Sequence, residues 1–255
     1  MLPDPHDRPD GLPDDESARV GEIVARLTDP DRSPDRRSSG RAMRSLTTSL
    51  ASSARAAGHS SVLRGRWLTD LVVEMAPRIP LRDAATLRAH HPGRSDDEVA
   101  DALVTAAARA TGTVGAAGGA LAAVEFAAPP TLLTAPAQLA AETVLVAAVE
   151  MKLIAELHEV YGAGVAGTPR QRAMAYLVAW TNRRGIDPLD PAGLQLVLGA
   201  TAKRALRRRL LRRAGRNLST LGPLMTGAVA GSVVNARETR RLGEEVRRDL
   251  RRSRS

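Results

Sequence analysis

The longest apolar stretch of the chain begins Thr111-Gly-Thr-Val-Gly-Ala-Ala-Gly-Gly-Ala-Leu-Ala-Ala-Val-Glu-Phe126, breaks at Pro129-Pro130 and continues to Tyr161-Gly162. It is either the core of a helical bundle or a membrane hairpin. A membrane-spanning helix needs about 20 consecutive apolar residues. The first half of the stretch is shorter than that and contains Glu125, and the second half contains Glu142. A carboxylate at mid-membrane costs about 2.5–3.5 kcal/mol on insertion scales. We therefore interpret the stretch as a packed central helix pair.

The composition favours an all-α protein. Aromatic residues are only 2% of the 255 residues, and alanine, leucine, arginine and glutamate, all good helix formers, are abundant. We predict a multi-helix bundle around a central Gly/Ala-rich apolar helix pair. The absence of cysteine excludes disulfides, thiolate metal sites and cysteine nucleophiles.

Composition shifts divide the chain into three parts. Residues 1–40 are rich in proline and aspartate and predict a disordered acidic arm that carries a short amphipathic helix near residues 15–27. Residues 41–250 predict one helical domain, and residues 251–255 a basic disordered tail. No signal peptide is recognisable at the N-terminus, so we expect a cytoplasmic protein.

Two helix starts are explicit in the sequence. Ser95-Asp-Asp-Glu98 has the spacing of a capping box, in which the serine and the glutamate each satisfy a free backbone N–H of the first turn. Thr168-Pro-Arg-Gln171 repeats this spacing, with proline at the first helical position. Both patterns predict a helix beginning at the next residue.

Small residues four apart give a helix a flat stripe that lets another backbone approach closely. The chain has two such stripes, and we predict that they pack against each other in the bundle; the alternative is self-association in a bilayer. The predicted helix-packing residues are Gly112, Gly115, Gly119, Gly227, Gly231 and Asn235.

Three glutamates interrupt the apolar region and are candidate buried polar residues: Glu125, Glu142 and Glu150. Buried carboxylates that share a cleft can act as acid and base or bind a metal. The chain lacks the Glu-x-x-His pairs typical of metal sites in bundles, so we predict no metal site. The favoured interpretation is that these glutamates pair with Lys152, Arg109 or Arg172, or face solvent.

Charge is distributed unevenly along the chain. Residues 1–40 hold ten acidic and six basic residues, a balance of −4, whereas residues 201–255 hold sixteen basic and four acidic residues, a balance of +12. A basic C-terminal third favours an anionic partner. The predicted anion-binding residues lie on one basic amphipathic helix, and the arginines of residues 247–254 add to its charge: Lys203, Arg204, Arg207, Arg208, Arg209, Arg212, Arg213 and Arg216.

Such a helix can adsorb to anionic lipid, hold the phosphates of a nucleic acid, or simply be solvated. We rank a membrane surface above nucleic acid, because no helix-turn-helix or stacking aromatics accompany the basic residues.

The chain resembles the EcsC-like family of bacterial proteins. The matching pieces are the run from Ala107 to Gly119 with the Pro129-Pro130 break, the segment Val160-Tyr-Gly162, and Gly222-Pro223 followed by Gly227, Gly231 and Asn235. The resemblance covers roughly residues 60–245. It implies a helical protein, peripheral to the membrane and linked to transport or secretion, and it supplies no catalytic residues.

The sequence as a whole predicts a non-catalytic protein without a cofactor, attached to the cytoplasmic face of the membrane through its basic C-terminal region. A soluble protein-interaction or scaffold module is the alternative. A carboxylate-based enzyme using the three glutamates ranks third.

Overall fold

A computed structural model describes residues 41, 46–48, 50, 72–73, 75–124, 134–183 and 223–254. Within these ranges lie a 3-10 turn, Ala76–Arg78, and the helices α1 (Ala84–His90), α2 (Asp96–Val124), α3 (Thr134–Val160), α4 (Pro169–Arg183) and α5 (Pro223–Arg254). Every regular element within these ranges is helical, which confirms the predicted all-α class. The predicted N-terminal arm and the basic helix at residues 203–216 lie outside the described residues.

Both predicted capping boxes are present. The backbone N–H of Ser95 donates to Glu98 Oε2 at 2.8 Å, and the N–H of Glu98 donates to Ser95 Oγ at 3.3 Å. At the start of α4, the N–H of Thr168 donates to Gln171 Oε1 at 2.9 Å, and the N–H of Gln171 donates to Thr168 Oγ1 at 3.3 Å. These reciprocal bonds satisfy first-turn donors that have no partner within the helix.

The helices α2 and α5 lie antiparallel along each other. Gly115 of α2 is beside Gly231 of α5, and at the other end Asp96, the first residue of α2, binds Arg254, the last residue of α5. The helix α3 is antiparallel to α2: Tyr161, which follows α3, donates to Asp97 Oδ1 at 2.6 Å. Three long helices therefore form the centre of the bundle.

The core continues on both sides of these three helices. Tyr176 and Trp180 of α4 are buried against α3, and the isolated described positions Leu50 and Val72 belong to the same hydrophobic cluster. Within the described parts of the chain, no helix is both long and apolar enough to cross a membrane.

The C-terminal end of the chain differs from the prediction. We expected residues 251–255 to be a disordered tail, but α5 continues to Arg254. The reason is tertiary: Arg251 pairs with Asp97 at 2.6 Å, and Arg254 pairs with Asp96 at 3.0 Å and lies 5.8 Å from the ring centre of Tyr161. Carboxylates 154 and 158 residues earlier in the chain thus hold a segment whose own composition favours disorder.

Candidate functional site

The closest approach of two helices involves Gly115 and Gly231. A Cβ atom on Gly115 would lie 2.6 Å from the carbonyl carbon of Gly231 and 2.8 Å from Nδ2 of Asn235. A Cβ atom on Gly231 would lie 3.0 Å from the carbonyl carbon of Gly115. Two backbones meet here without a side chain between them, which is the close contact that small-residue stripes permit.

The other predicted packing glycines lie along the same two helices. A Cβ atom on Gly112 would lie 3.2 Å from Ser232 Oγ and 3.3 Å from its carbonyl oxygen, so this contact is also tight. Gly119 lies on α2 and Gly227 on α5, and the structure does not describe their surroundings.

One packing glycine was missed by the sequence analysis. A Cβ atom on Gly243 would lie 2.7 Å from Val104 Cγ2 of α2 and 3.3 Å from Leu153 Cδ2 of α3. The sequence spacing could have predicted it. The stripe on α5 continues for three turns at intervals of four residues: Gly231, Asn235, Thr239 and Gly243.

Glu142 and Glu150 both connect α3 to α5. Asn235 Nδ2 donates to Glu142 Oε1 at 3.1 Å, and Thr239 Oγ1 donates to Glu150 Oε1 at 3.1 Å. Glu150 is 0% exposed and also accepts a hydrogen bond from Trp180 Nε1 at 2.9 Å. These bonds hold α3, α4 and α5 together around the buried carboxylate of Glu150 and the half-buried carboxylate of Glu142, and the donors offset the cost of their desolvation.

Two of the three cations that we named as partners for these glutamates bind other carboxylates. Lys152 Nζ lies 2.5 Å from Glu156 Oε1, and Arg172 Nη2 lies 2.8 Å from Glu159 Oε1. Glu125 lies outside the described residues. Among the residues that the structure does describe, no group of three histidine, aspartate or glutamate side chains is placed to hold a metal ion.

The structure also contains a buried charge cluster centred on Glu156, which we did not predict from the sequence. Arg82 Nε donates to Glu156 Oε1 and Arg82 Nη2 to Oε2, both at 2.8 Å, which makes a bidentate pair. Lys152 donates to the same carboxylate and to the carbonyl oxygen of Pro80 at 2.5 Å. Lys152 and Glu156 are four residues apart on α3, a spacing from which their ion pair could have been predicted. Arg82 is 74 residues away from Glu156 in the sequence, so its contact could not.

Burial and charge oppose each other in this cluster. Burial by itself raises the pKa of Glu156, but the hydrogen bonds and positive charges of Arg82 and Lys152 outweigh it, so the pKa lies below its ordinary value. Burial lowers the pKa of Lys152, against the attraction of Glu156. The cluster thus keeps Glu156 ionised in the core.

His158 is a half-buried titratable side chain on α3. Its Nδ1 lies 2.7 Å from the carbonyl oxygen of Ile154, and its ring packs edge-on against Tyr176 with the centroids 5.6 Å apart. Burial lowers the pKa of His158 below 6.5, and the hydrogen bond to Ile154 only partly opposes this. The folded state therefore favours the neutral imidazole.

The unfolded chain binds a proton at His158 more readily than the folded chain does. The stability that the neutral ring contributes is therefore fully present above the unfolded pKa of His158. It is lost as the pH falls from that value to the lower pKa of the folded state. We expect the free energy of unfolding to decrease from pH 7.5 to pH 5.5, and to decrease less in His158→Phe. Urea titrations of both proteins at the two pH values measure this. An equal decrease in both would show that His158 does not contribute.

The outward side of α5 carries an apolar pair followed by arginines. Val229 and Val233 are 56% and 58% exposed and lie one turn apart, and Arg237 and Arg240 continue the same exposed stripe. We call these four residues the outer face of α5. Neither of its arginines forms an ion pair with any other described residue.

We expected the arginines of residues 247–254 to add to the charge of the basic segment of residues 203–216, but most of them bind carboxylates within the protein. Arg247 is buried and binds Asp101 and Glu244, and Arg251 and Arg254 bind the first turn of α2. Asp249 also binds Arg183 of α4 at 2.5 Å. Much of the positive charge at the C-terminal end of α5 is therefore neutralised by carboxylates within the protein.

The chain matches none of the protein-family models, curated proteins or solved structures with which it was compared. The resemblance to the EcsC-like family therefore stays a prediction from the sequence features quoted above.

Proposed function

We propose that this protein is a non-catalytic helical protein that binds peripherally to an anionic membrane surface, through the basic segment of residues 203–216 and the outer face of α5. The observation that carries the proposal is the exposed pair Val229 and Val233, followed on the same face by Arg237 and Arg240. The EcsC-like resemblance suggests the setting, the cytoplasmic face of the membrane in transport or secretion.

The chemistry of this face suits the boundary between headgroups and acyl chains. Apolar side chains of a surface helix enter that boundary, while each nearby Lys or Arg contributes about 1 kcal/mol of attraction to anionic lipid. The valines are held outward because the opposite side of α5 is occupied by the glycine contact and by the bonds to Glu142 and Glu150. The eight cations of residues 203–216 precede α5 and add to the attraction.

Co-sedimentation of the full chain with vesicles tests the proposal. We expect binding to vesicles that contain phosphatidylserine or phosphatidylglycerol, little binding to phosphatidylcholine alone, and weaker binding as salt increases. Equal recovery with anionic and neutral vesicles, or no recovery with either, would contradict it.

A matched pair of variants locates the surface. The double variant Arg237→Glu/Arg240→Glu should lower the partition coefficient about thirtyfold or more, because each cation removed takes away about 1 kcal/mol of attraction. Arg109→Glu/Arg170→Glu changes the net charge equally, at exposed positions of α2 and α4, and should have a smaller effect. Equal losses would show that net charge matters and the outer face does not.

Protein–protein interaction is the second candidate, because the same exposed valines would also suit an apolar partner surface. Light scattering without lipid distinguishes the two: a stable oligomer that Val233→Asp dissociates, in a protein that binds no vesicles, would favour this candidate.

A further inference from the structure

A small cavity of about 170 Å³ lies where α1, the turn after it, the start of α2 and the end of α3 meet. Its floor is apolar, formed by Leu87, Val99 and Val160, all of which are buried. Basic side chains line it as well: Arg88, His91 and Arg94. Typical ligand pockets have about 300–1,000 Å³, so this one suits only a small molecule.

The charge of the cavity is positive. Arg88 and Arg94 are exposed and form no ion pair with the other residues described here. Asp96 is the one carboxylate among the lining residues, and it is bound by Arg254 at 3.0 Å. Glu98 also lies near the positive charge of Arg94. Its Oε2 accepts hydrogen bonds from the backbone N–H and the hydroxyl of Ser95.

We propose that this cavity binds a small phosphate monoester, with the phosphate between Arg88 and Arg94 and a compact apolar group on the floor. Guanidinium groups match the geometry of phosphate oxygens and bind them in a bidentate manner. The cavity lies beside Arg254, whereas Val229 is 25 residues earlier on α5, about 37 Å away along the helix. This site is therefore separate from the proposed membrane-binding face, and an experiment can contradict one proposal without contradicting the other.

The ligand could be a soluble ester or the headgroup of a lipid, since both offer the same phosphate chemistry. Titrations of the full chain followed by the imidazole NMR signals distinguish them, with the His91 signal assigned by its loss in His91→Gln. We expect phenyl phosphate to shift the His91 signal saturably and phenol, its uncharged parent compound, not to shift it. Tighter binding of dihexanoyl phosphatidic acid, below its micellar concentration, would indicate a lipid source, and tighter binding of phenyl phosphate a soluble one.

Substitutions on the rim and the floor test the geometry. Arg88→Glu and Arg94→Glu should each raise the Kd for phenyl phosphate about tenfold, whereas Arg170→Glu, an exposed arginine of α4, should leave it unchanged. Ala84→Leu, which narrows the cavity, should weaken phenyl phosphate but not inorganic phosphate.

Three results would overturn the proposal. They are the absence of a saturable shift with any phosphate compound, equal weakening in Arg170→Glu and the rim variants, and unchanged phenyl phosphate binding in Ala84→Leu.

Discussion

Gly115→Leu is expected to lower the free energy of unfolding by about 3 kcal/mol, at the upper end of what overpacking usually costs. The reason is that the new Cβ atom would lie 2.6 Å from a backbone atom of Gly231, which cannot rotate away as a side chain does. The helices α2 and α5 would have to separate, and the bonds from Asn235 and Thr239 to the carboxylates of α3 would lengthen.

Urea denaturation followed by far-ultraviolet circular dichroism measures this effect. Arg109→Leu is the matched control, because it adds the same side chain to an exposed position of α2, and leucine and arginine have similar helix propensities. We expect a change within about 0.5 kcal/mol for the control. If Gly115→Leu were as stable as the control, the two backbones would not be in contact.

Glu156→Gln is expected to destabilise the protein by about 3–5 kcal/mol, the usual cost of leaving a buried charge without its partner. The variant keeps the shape of the side chain but removes the charge that Lys152 and Arg82 share. The side chain of Lys152 is only 6% exposed, so water cannot replace the lost carboxylate.

The control for this substitution is Glu159→Gln, on the same helix. Glu159 pairs with Arg172, but both side chains are partly exposed, so the expected loss is about 1 kcal/mol or less. A second variant, Lys152→Met/Glu156→Leu, removes the two most buried charges and leaves only the partly exposed Arg82 without its partner, so it should recover part of the lost stability. Equal losses in Glu156→Gln and Glu159→Gln would contradict the role of the buried cluster.

Local features of the fold could be predicted from the sequence because they depend on neighbouring residues. Ser95 with Glu98 and Thr168 with Gln171 predicted two helix starts that the structure shows. The spacing of small residues likewise predicted a flat stripe on α5, although we did not extend it to Gly243.

Features that depend on distant residues could not be predicted. Nothing near Glu156 in the sequence indicates that Arg82 would reach it. The composition of residues 251–254 favours disorder, and only the acidic first turn of α2, brought close by the fold, explains why they are helical. The bonding of Glu150 to Trp180 and Thr239 is equally non-local, and this is why we named the wrong partners for it.

These contacts also bear on the proposed membrane surface. They fix one side of α5 against α2 and α3, so Val229 and Val233 cannot turn into the core without breaking them. The membrane-binding proposal therefore specifies which side of one helix meets the lipid.

Because the chain has no cysteine, a single fluorophore can be placed on that side. The most direct measurement uses Val233→Cys labelled with an environment-sensitive dye, with labelled Val178→Cys, at an exposed position of α4, as the control. With anionic vesicles, we expect a blue-shifted and stronger emission from position 233 and little change at position 178. An unchanged emission at position 233 in protein that has bound to the vesicles would contradict it.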